Sequence, residues 1–308
     1  MQPIVIGTRG SSLSLCQTRL VQVQLEERWP GRLFSLKTIK ARADQQPDVS
    51  LVAMDGEGIF VKELEAALLG KDIDLAVHSL KDLPLALPAG LALAAITDRE
   101  DPRDALISRS GHALDELPKG ARIGTSSPRR KSQLLHARPD LDVMEIRGNV
   151  DTRLRKLDEG RYDAIVVAAC GLIRLGLEDR ITDYLSLEQM LPEPGQGSLG
   201  IQARADDAEM IKIAETVNDP TSRRCVEAER AVLTALGGGC RVPIAAYAAI
   251  GTDGAMMLDG AVITTDGSRR LHERVEGDVT QAASLAQRVV DRLRAQGAAD
   301  LLAHHAYE

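Results

Sequence analysis

The sequence predicts an α/β protein of two lobes with a hinged cleft, followed by a small C-terminal α+β domain. Three observations carry this. Strand-like and helix-like stretches alternate through most of the chain, the pattern of βα units. Turn-rich clusters at Thr97-Asp-Arg-Glu-Asp-Pro102 and Pro192-Glu-Pro-Gly195 interrupt the alternation twice. From about Asp219 the pattern changes to a helix, three strands and further helix. A chain of 308 residues is long enough for two or three domains. The divisions are expected at 1–97 with 198–217, at 98–197 and at 218–308.

Taken in order, Pro3 to Ile6 reads as a short buried strand, turning at Gly7-Thr-Arg-Gly10. A helix follows from about Ser12 to Arg28, with Ser11 or Ser12 as its cap and Pro30-Gly31 as its stop. Phe34 to Ile39 alternates like a strand. Ala43 to Gly58 has no clear period, and a stretch of that length is usually a functional lid or disordered. Phe60 to Leu69 reads as an amphipathic helix, and Asp74–Ser79 and Leu91–Ile96 as strands of a mostly parallel sheet. The second lobe has strands near Arg122–Gly124, Val143–Arg147 and Ala164–Ala168. Its helices lie near Pro128–Arg138, Val150–Glu159 and Gly171–Gly176. Ser198 to Ala203 should return to the first sheet, so two crossings join the lobes. In the last domain a helix from Thr221 to Leu236 precedes strands near Ile244–Ile250, Met257–Thr264 and Leu271–Glu276. A helix over Thr280–Arg294 and a shorter one after Gly297 complete the chain.

Composition narrows the function. Lys and Arg number 38 against 45 Asp and Glu, a formal charge of −7, which argues against non-specific nucleic-acid binding. Aromatics are 2% of the chain, so few rings can stack on bases or sugars. The ligand is expected to be small and held by polar groups. The start Met1-Gln-Pro-Ile-Val-Ile-Gly7 lacks the features of a signal peptide. The longest apolar run, about Ala164 to Ile173, is shorter than the roughly 20 residues a bilayer span needs. No membrane association and a cytoplasmic location are the expectation. Cys16, Cys170, Cys225 and Cys240 are sparse and form no CxxC pair, suggesting neither disulfides nor a metal site.

Three segments carry chemistry. Glu229-Arg-Ala-Val-Leu-Thr-Ala-Leu-Gly-Gly-Gly-Cys-Arg-Val-Pro-Ile-Ala245 ends a helix at three glycines and puts Cys240 directly after them. Glycine allows positive φ and close approach of a ligand, so Cys240 could sit on a flexible tip. Alternatively Gly237 is a helix cap and Cys240 a small buried residue. Leu75-Ala-Val-His-Ser-Leu-Lys-Asp-Leu-Pro84 runs an apolar strand into Lys81-Asp82, and strand ends are where α/β sheets place reacting groups. A salt-bridged Lys81–Asp82 turn is the competing reading. His78, inside the strand, reads as structural. Arg122 to Lys156 holds nine Lys and Arg against four Asp and Glu. Within it, Gly124-Thr-Ser-Ser-Pro-Arg-Arg130 combines a strand end with a helix start, a natural anion site. Arg147-Gly-Asn-Val-Asp-Thr-Arg153 adds guanidinium groups suited to carboxylates. A solvated basic helix face accounts for Arg130, Lys131, Arg155 and Lys156 taken singly, and for Arg147 less well, since it closes an apolar strand.

These segments together resemble the porphobilinogen deaminase family. The resemblance covers essentially the whole chain, including Thr8-Arg-Gly-Ser11, Phe60-Val-Lys-Glu63, Arg99-Glu-Asp-Pro-Arg-Asp104 and Pro194-Gly-Gln-Gly197. It implies two periplasmic-binding-protein-like lobes and the stepwise deaminating condensation of four porphobilinogen molecules into hydroxymethylbilane, which is then released by hydrolysis. It implies a dipyrromethane cofactor attached through Cys240 and catalysis by Asp82. Lys81, Asp82, Thr125, Ser127, Arg129 and Arg130 would bind the cofactor. Arg9, Ser11, Gln17, Arg147, Arg153 and Arg174 would bind substrate. No metal, no nucleic acid and no obligate protein partner are implied, and the chain is expected to be a monomer. One region departs from the family pattern. Asp55-Gly-Glu-Gly58 and Ala53 stand where the family commonly has Gly-Gly-Lys-Gly and a lysine, so the lid is acidic. Two rivals from other classes are a two-lobed small-anion binding protein and a hydrolase with Cys240 as nucleophile. The first leaves the Gly-Gly-Gly-Cys tip unexplained, and the second lacks a histidine base in a comparable motif.

Overall fold

The computed structural model describes residues 2–40, 61–238 and 242–305. The expected lid, 43–58, lies outside them. The chain divides into two compact units, one of Met1–Glu100 with Gly197–Arg223 and one of Asp101–Gln196 with Arg224–Glu308.

The first unit is built on a five-stranded sheet. Its strands are β1 (Ile4–Thr8), β2 (Phe34–Thr38), β3 (Leu75–Ser79), β4 (Leu91–Ile96) and β10 (Leu199–Arg204), in the order β2-β1-β3-β10-β4. β1 runs parallel to β2 and β3, while β10 is antiparallel to both β3 and β4. The returning strand thus inserts between two strands made earlier in the chain. Helix α1 (Ser12–Arg28) is capped by Ser11, whose side chain accepts from Ser14 N, and it buries Gln17, Thr18, Val21 and Leu25. Those spacings place the four on one helical stripe. Val21 and Leu25 pack with Ile6, Leu75, Leu199 and Ile201. Helix α2 (Lys62–Leu69) packs Leu64 and Leu68 with Ile73 and Ala76.

The second unit holds the other five-stranded sheet. Its strands are β5 (Asp104–Ser108), β6 (Arg122–Gly124), β7 (Asp142–Met144), β8 (Ala164–Ala168) and β9 (Asp183–Tyr184), in the order β7-β6-β8-β5-β9. Helices α3 (Pro128–Ala137), α4 (Val150–Asp158) and α5 (Ala169–Arg174) accompany it. Both faces are covered. Leu106, Ile123, Leu134 and Val166 pack in one core cluster, and Ile107, Ile165, Val167 and Leu172 in another. Burial on both faces makes β8 an unbroken apolar run.

The same unit contains a three-stranded antiparallel sheet of β11 (Ile244–Ile250), β12 (Ala255–Ile263) and β13 (Arg270–Asp278). Helices α7 (Pro220–Ala235) and α8 (Ala282–Ala295) enclose a core of Val232, Leu258, Val289 and Leu293, and α9 (Ala298–His305) follows. The class is therefore α/β with two sheet-containing lobes and a small C-terminal sheet with helices.

Several elements differ from expectation. The sheets are mixed rather than mostly parallel, because β10 and β5 each run against both neighbours. Strands β5 and β9 and helix α6 (Ala208–Glu215), which is capped by Asp207, lie where the sequence suggested no element. β7 ends at Met144, so Arg147 does not close a strand. The carbonyls of the following residues are taken by side chains instead: Tyr162 Oη donates to Glu145 O at 2.7 Å, and Ser126 Oγ donates to Ile146 O.

Candidate functional site

Strand direction decides which residues gather. In the first unit, β1 and β3 run side by side with Gly7 level with Ala76, so β3 continues to Ser79 two residues past the end of β1 at Thr8. Arg9, half-buried, follows β1, and Ser11 caps α1 with its hydroxyl also 2.8 Å from Ser14 Oγ. Gln17 is buried and its amide exchanges hydrogen bonds with Ser79 Oγ, at 3.0 and 3.1 Å. That pair fastens α1 to the end of β3. The next three residues, Leu80–Asp82, form a single 3-10 turn closed by Leu83 N donating to Leu80 O. Leu80 is fully buried beneath it, while Lys81 and Asp82 remain partly exposed. The Asp82 carboxylate has no hydrogen-bond or ion-pair partner among the described residues, so it does not brace the turn through Lys81. His78 lies inside the protein, and burial pushes its imidazole down to about 4, with neighbouring Gln202 pulling the other way and Arg9 adding to the fall. It stays neutral at ordinary pH, as a structural residue would.

In the second unit, β6 and β8 run parallel and β5 antiparallel, with Asp104 opposite Ala168. Asp104 is thereby brought to the edge where Gly124 ends β6. Ser127 caps α3 by accepting from Arg130 N, and Thr125 Oγ1 accepts from Ser127 N. The helix then carries Arg129 and Arg130 inward, 3% and 6% exposed. Both meet the wholly buried Asp104. Arg130 donates from Nε and Nη2 to Oδ1 at 3.1 and 2.8 Å, and Arg129 Nη2 lies 2.8 Å from Oδ2. Gln196 Nε2 also donates to Oδ1, at 2.9 Å, and to Pro102 O. Arg129 Nη1 reaches Leu191 O and Arg130 Nη1 reaches Val166 O. Two guanidinium groups share one carboxylate, which leaves a buried surplus of positive charge. Such a surplus is costly unless an anion offsets it.

Arg147 and Arg153 flank the start of α4, which Asn149 caps by accepting from Thr152 N. Gly148 between them has φ 111°, and a Cβ there would fall 2.5 Å from Thr152 Cγ2. Only glycine suits that position. Arg153 Nε donates to Gly148 O, and Lys156 Nζ to Arg147 O. Arg147 is 3.8 Å from Glu145, yet its Nη1 is buried with no hydrogen-bond acceptor among the described residues. Arg174 closes α5, one element beyond the β8 edge.

Cys240 lies outside the described residues. The helix end is described through Gly238. Gly237 has φ 69°, with Gly237 N donating to Thr234 O and Gly238 N to Leu233 O. These are the paired bonds of a Schellman cap. Glu229, on the same helix and fully buried, accepts from Gly195 N and from Ala248 N, each at 2.8 Å.

The first unit thus gathers Arg9, Ser11, Gln17, Lys81 and Asp82. The second gathers Thr125, Ser127, Arg129 and Arg130, with Arg147 and Arg153 at the next helix start. The sequence reading quoted Asp104, Gln196 and Glu229 inside motifs but gave them no role.

A family model described as "Porphobilinogen deaminase, dipyromethane cofactor binding domain" matches residues 4–212, and one described as "Porphobilinogen deaminase, C-terminal domain" matches 223–295. A porphobilinogen deaminase of Shouchella clausii is 50% identical over 303 residues, covering 98% of this chain and 97% of its own. One of Thermus thermophilus is 46% identical over 303 residues, covering 98% and 99%. A solved periplasmic substrate-binding protein of Coxiella burnetii covers 71% of this chain and 94% of its own, at 15% identity and a TM-score of 0.46. With both family models matched in sequence order and relatives aligned nearly end to end, the chain belongs to the porphobilinogen deaminase family.

Proposed function

We propose that this enzyme condenses four porphobilinogen molecules head to tail into hydroxymethylbilane, releasing ammonia at each step and then the product by hydrolysis. The observation that supports it most directly, beyond family membership, is Asp82. Its carboxylate stands on a 3-10 turn at the end of β3, anchored by buried Leu80 and itself unengaged among the described residues. Loss of ammonia from the substrate leaves a cationic azafulvenium. A fixed carboxylate beside the pyrrole N–H stabilises that charge and can assist proton transfer.

The residues present fit a carboxylate-rich pyrrole cofactor. The surplus charge of Arg129 and Arg130 against Asp104, and the unaccepted Nη1 of Arg147, are what acetate and propionate groups would satisfy. When bound through Cys240, the dipyrromethane supplies the pyrrole carbon from which the chain grows. In this reading Lys81, Thr125, Ser127, Arg129 and Arg130 hold it with Asp82. Arg9, Ser11, Gln17, Arg147, Arg153 and Arg174 orient substrate. The lobes shift about the crossings near Thr97–Pro102 and Pro192–Gly195, within the divisions 1–97 with 198–217, 98–197 and 218–308. The enzyme works in the cytoplasm as a monomer.

The test combines intact mass with single-turnover kinetics. Cys240→Ser should fold, carry no pyrrole adduct and make no bilane, and an adduct of normal mass on that variant would remove Cys240 as the anchor. Asp82→Asn keeps size and one acceptor but lacks the charge. Loss of one preorganised electrostatic group costs about 10²–10³ in rate. Ammonia release near the wild-type rate in Asp82→Asn would overturn the catalytic assignment.

A further inference from the structure

A cavity in the second unit is lined by none of the residues assigned above. It has a volume of about 220 Å³ and is lined by His136, Leu187, Glu188, Arg270, His272 and Arg274. Its walls are the end of α3 and the outward face of β13. The two elements are held close: His136 Nδ1 meets Gly267 O at 2.9 Å, and a Cβ on Gly267 would fall 2.5 Å from His136 N.

The charges on its walls are unequally matched. Asp259, fully buried behind the cavity, is occupied by two partners. Arg274 Nε lies 2.9 and 3.1 Å from its two oxygens, and His272 Nε2 lies 2.7 Å from Oδ1. Arg270 is left over. Its Nη1 donates to Glu188 O at 2.8 Å, but it forms no ion pair among the described residues, and its Nε is buried without an acceptor. Burial opposes its charge and lowers its pKa, with Asp259 offsetting only part of that. Glu188, an exposed residue of the lining, forms no ion pair with either arginine among the described residues, though its charge acts on Arg274. A partly buried guanidinium that Asp259 compensates only in part and that has no ion-pair partner among the described residues, beside a second arginine and two imidazoles, can take a small anion.

We infer that this cavity binds a small oxyanion, a phosphate or a carboxylate, with Arg270 as its principal charge partner. The ligand would bridge α3 and β13. Since α3 carries Arg129 and Arg130 at its other end, occupancy would steady the helix that presents them.

Isothermal titration of the purified holoprotein with inorganic phosphate, and separately with succinate, tests this at an ionic strength fixed by chloride. At least one anion should bind saturably. Arg270→Gln should weaken that binding at least about tenfold, the scale of one charge-assisted hydrogen bond. Arg270→Lys should retain part of it, and Arg147→Leu should leave it unchanged, which separates this cavity from the substrate-binding arginines. Absence of saturable binding by either anion, or equal affinity in Arg270→Gln, would overturn the inference. Crystals soaked in selenate give an answer independent of any variant's folding: anomalous density beside the Arg270 guanidinium is expected, and none at saturating selenate refutes the site.

Discussion

Asp104→Asn isolates the contribution of the buried counter-charge. The wild-type carboxylate uses Oδ1 for Arg130 and Gln196 and Oδ2 for Arg129. Asparagine keeps the shape and one accepting oxygen, but turns the other position into an NH₂ facing a guanidinium. Neither arginine can shed its proton, so two buried cations are left without a counter-charge. Breaking a buried pair in this way costs about 3–5 kcal/mol. For a folding unit of 150–250 residues, 1 kcal/mol moves Tm by about 2–4 °C, so the variant should melt about 6–20 °C lower. Circular dichroism melts of apo- and holoprotein measure it. A companion Arg129→Met in the Asp104→Asn background removes one stranded cation and should recover part of the loss, a coupling that a double-mutant cycle reads directly. A fall of less than about 3 °C, with no recovery in the double variant, would refute the view that Asp104 neutralises this pair.

Three further outcomes are expected. His78 has its folded pKa depressed to about 4 from 6.5, so in that window the unfolded chain binds the proton and the folded one does not. Its stabilising effect is complete above about 6.5 and is lost as pH falls, by about 3 kcal/mol near pH 4, and His78→Gln should show a correspondingly flatter stability profile in urea melts. An unchanged profile would contradict this. Gly148→Ala forces a side chain at φ 111° against Thr152 and should cost about 1–3 kcal/mol, visible as a lower Tm, with substrate affinity falling because Gly148 joins Arg147 to the helix that carries Arg153. Arg147→Leu should weaken substrate binding at least about tenfold while leaving Tm within about 2 °C, since its Nη1 has no hydrogen-bond acceptor among the described residues and only a 3.8 Å ion pair with exposed Glu145; unaltered binding would make it a surface residue.

The sequence made some elements plain and hid others for physical reasons. β1, β3, β4 and β8 are apolar runs closed by glycine, polar or proline-rich turns, and both-face burial keeps them unbroken. β5 is equally buried, yet it begins with Asp104 directly after the polar Arg99–Arg103 stretch, so it reads as the tail of a loop. β9 is two residues long and has no periodicity to show. The run Val143–Arg147 looks like a strand, but Tyr162 and Ser126 supply the partners a neighbouring strand would have given. The strand end carrying Lys81 and Asp82 is local information, whereas the catalytic role expected of Asp82 comes from the family resemblance. The partner of Arg129 and Arg130 could not, because Asp104 lies 26 residues before Arg130 and meets it only through an antiparallel pairing. Arg270 escaped for the same reason: its lack of an ion pair is a property of packing, not of sequence neighbours.

Glu229 spans three segments distant in sequence. Its two oxygens take the amides of Gly195, at the end of the second lobe, and of Ala248, inside β11, while its own helix continues to the Schellman cap before Cys240. Gln196, next to Gly195, holds Asp104, so the network continues from the arginine pair to the C-terminal sheet. No member of it is exposed enough to open alone. The lobe and the small sheet should therefore unfold in one cooperative step, and the amides of Gly195 and Ala248 should exchange their hydrogens with solvent only through that step, with the same opening free energy although they lie 53 positions apart.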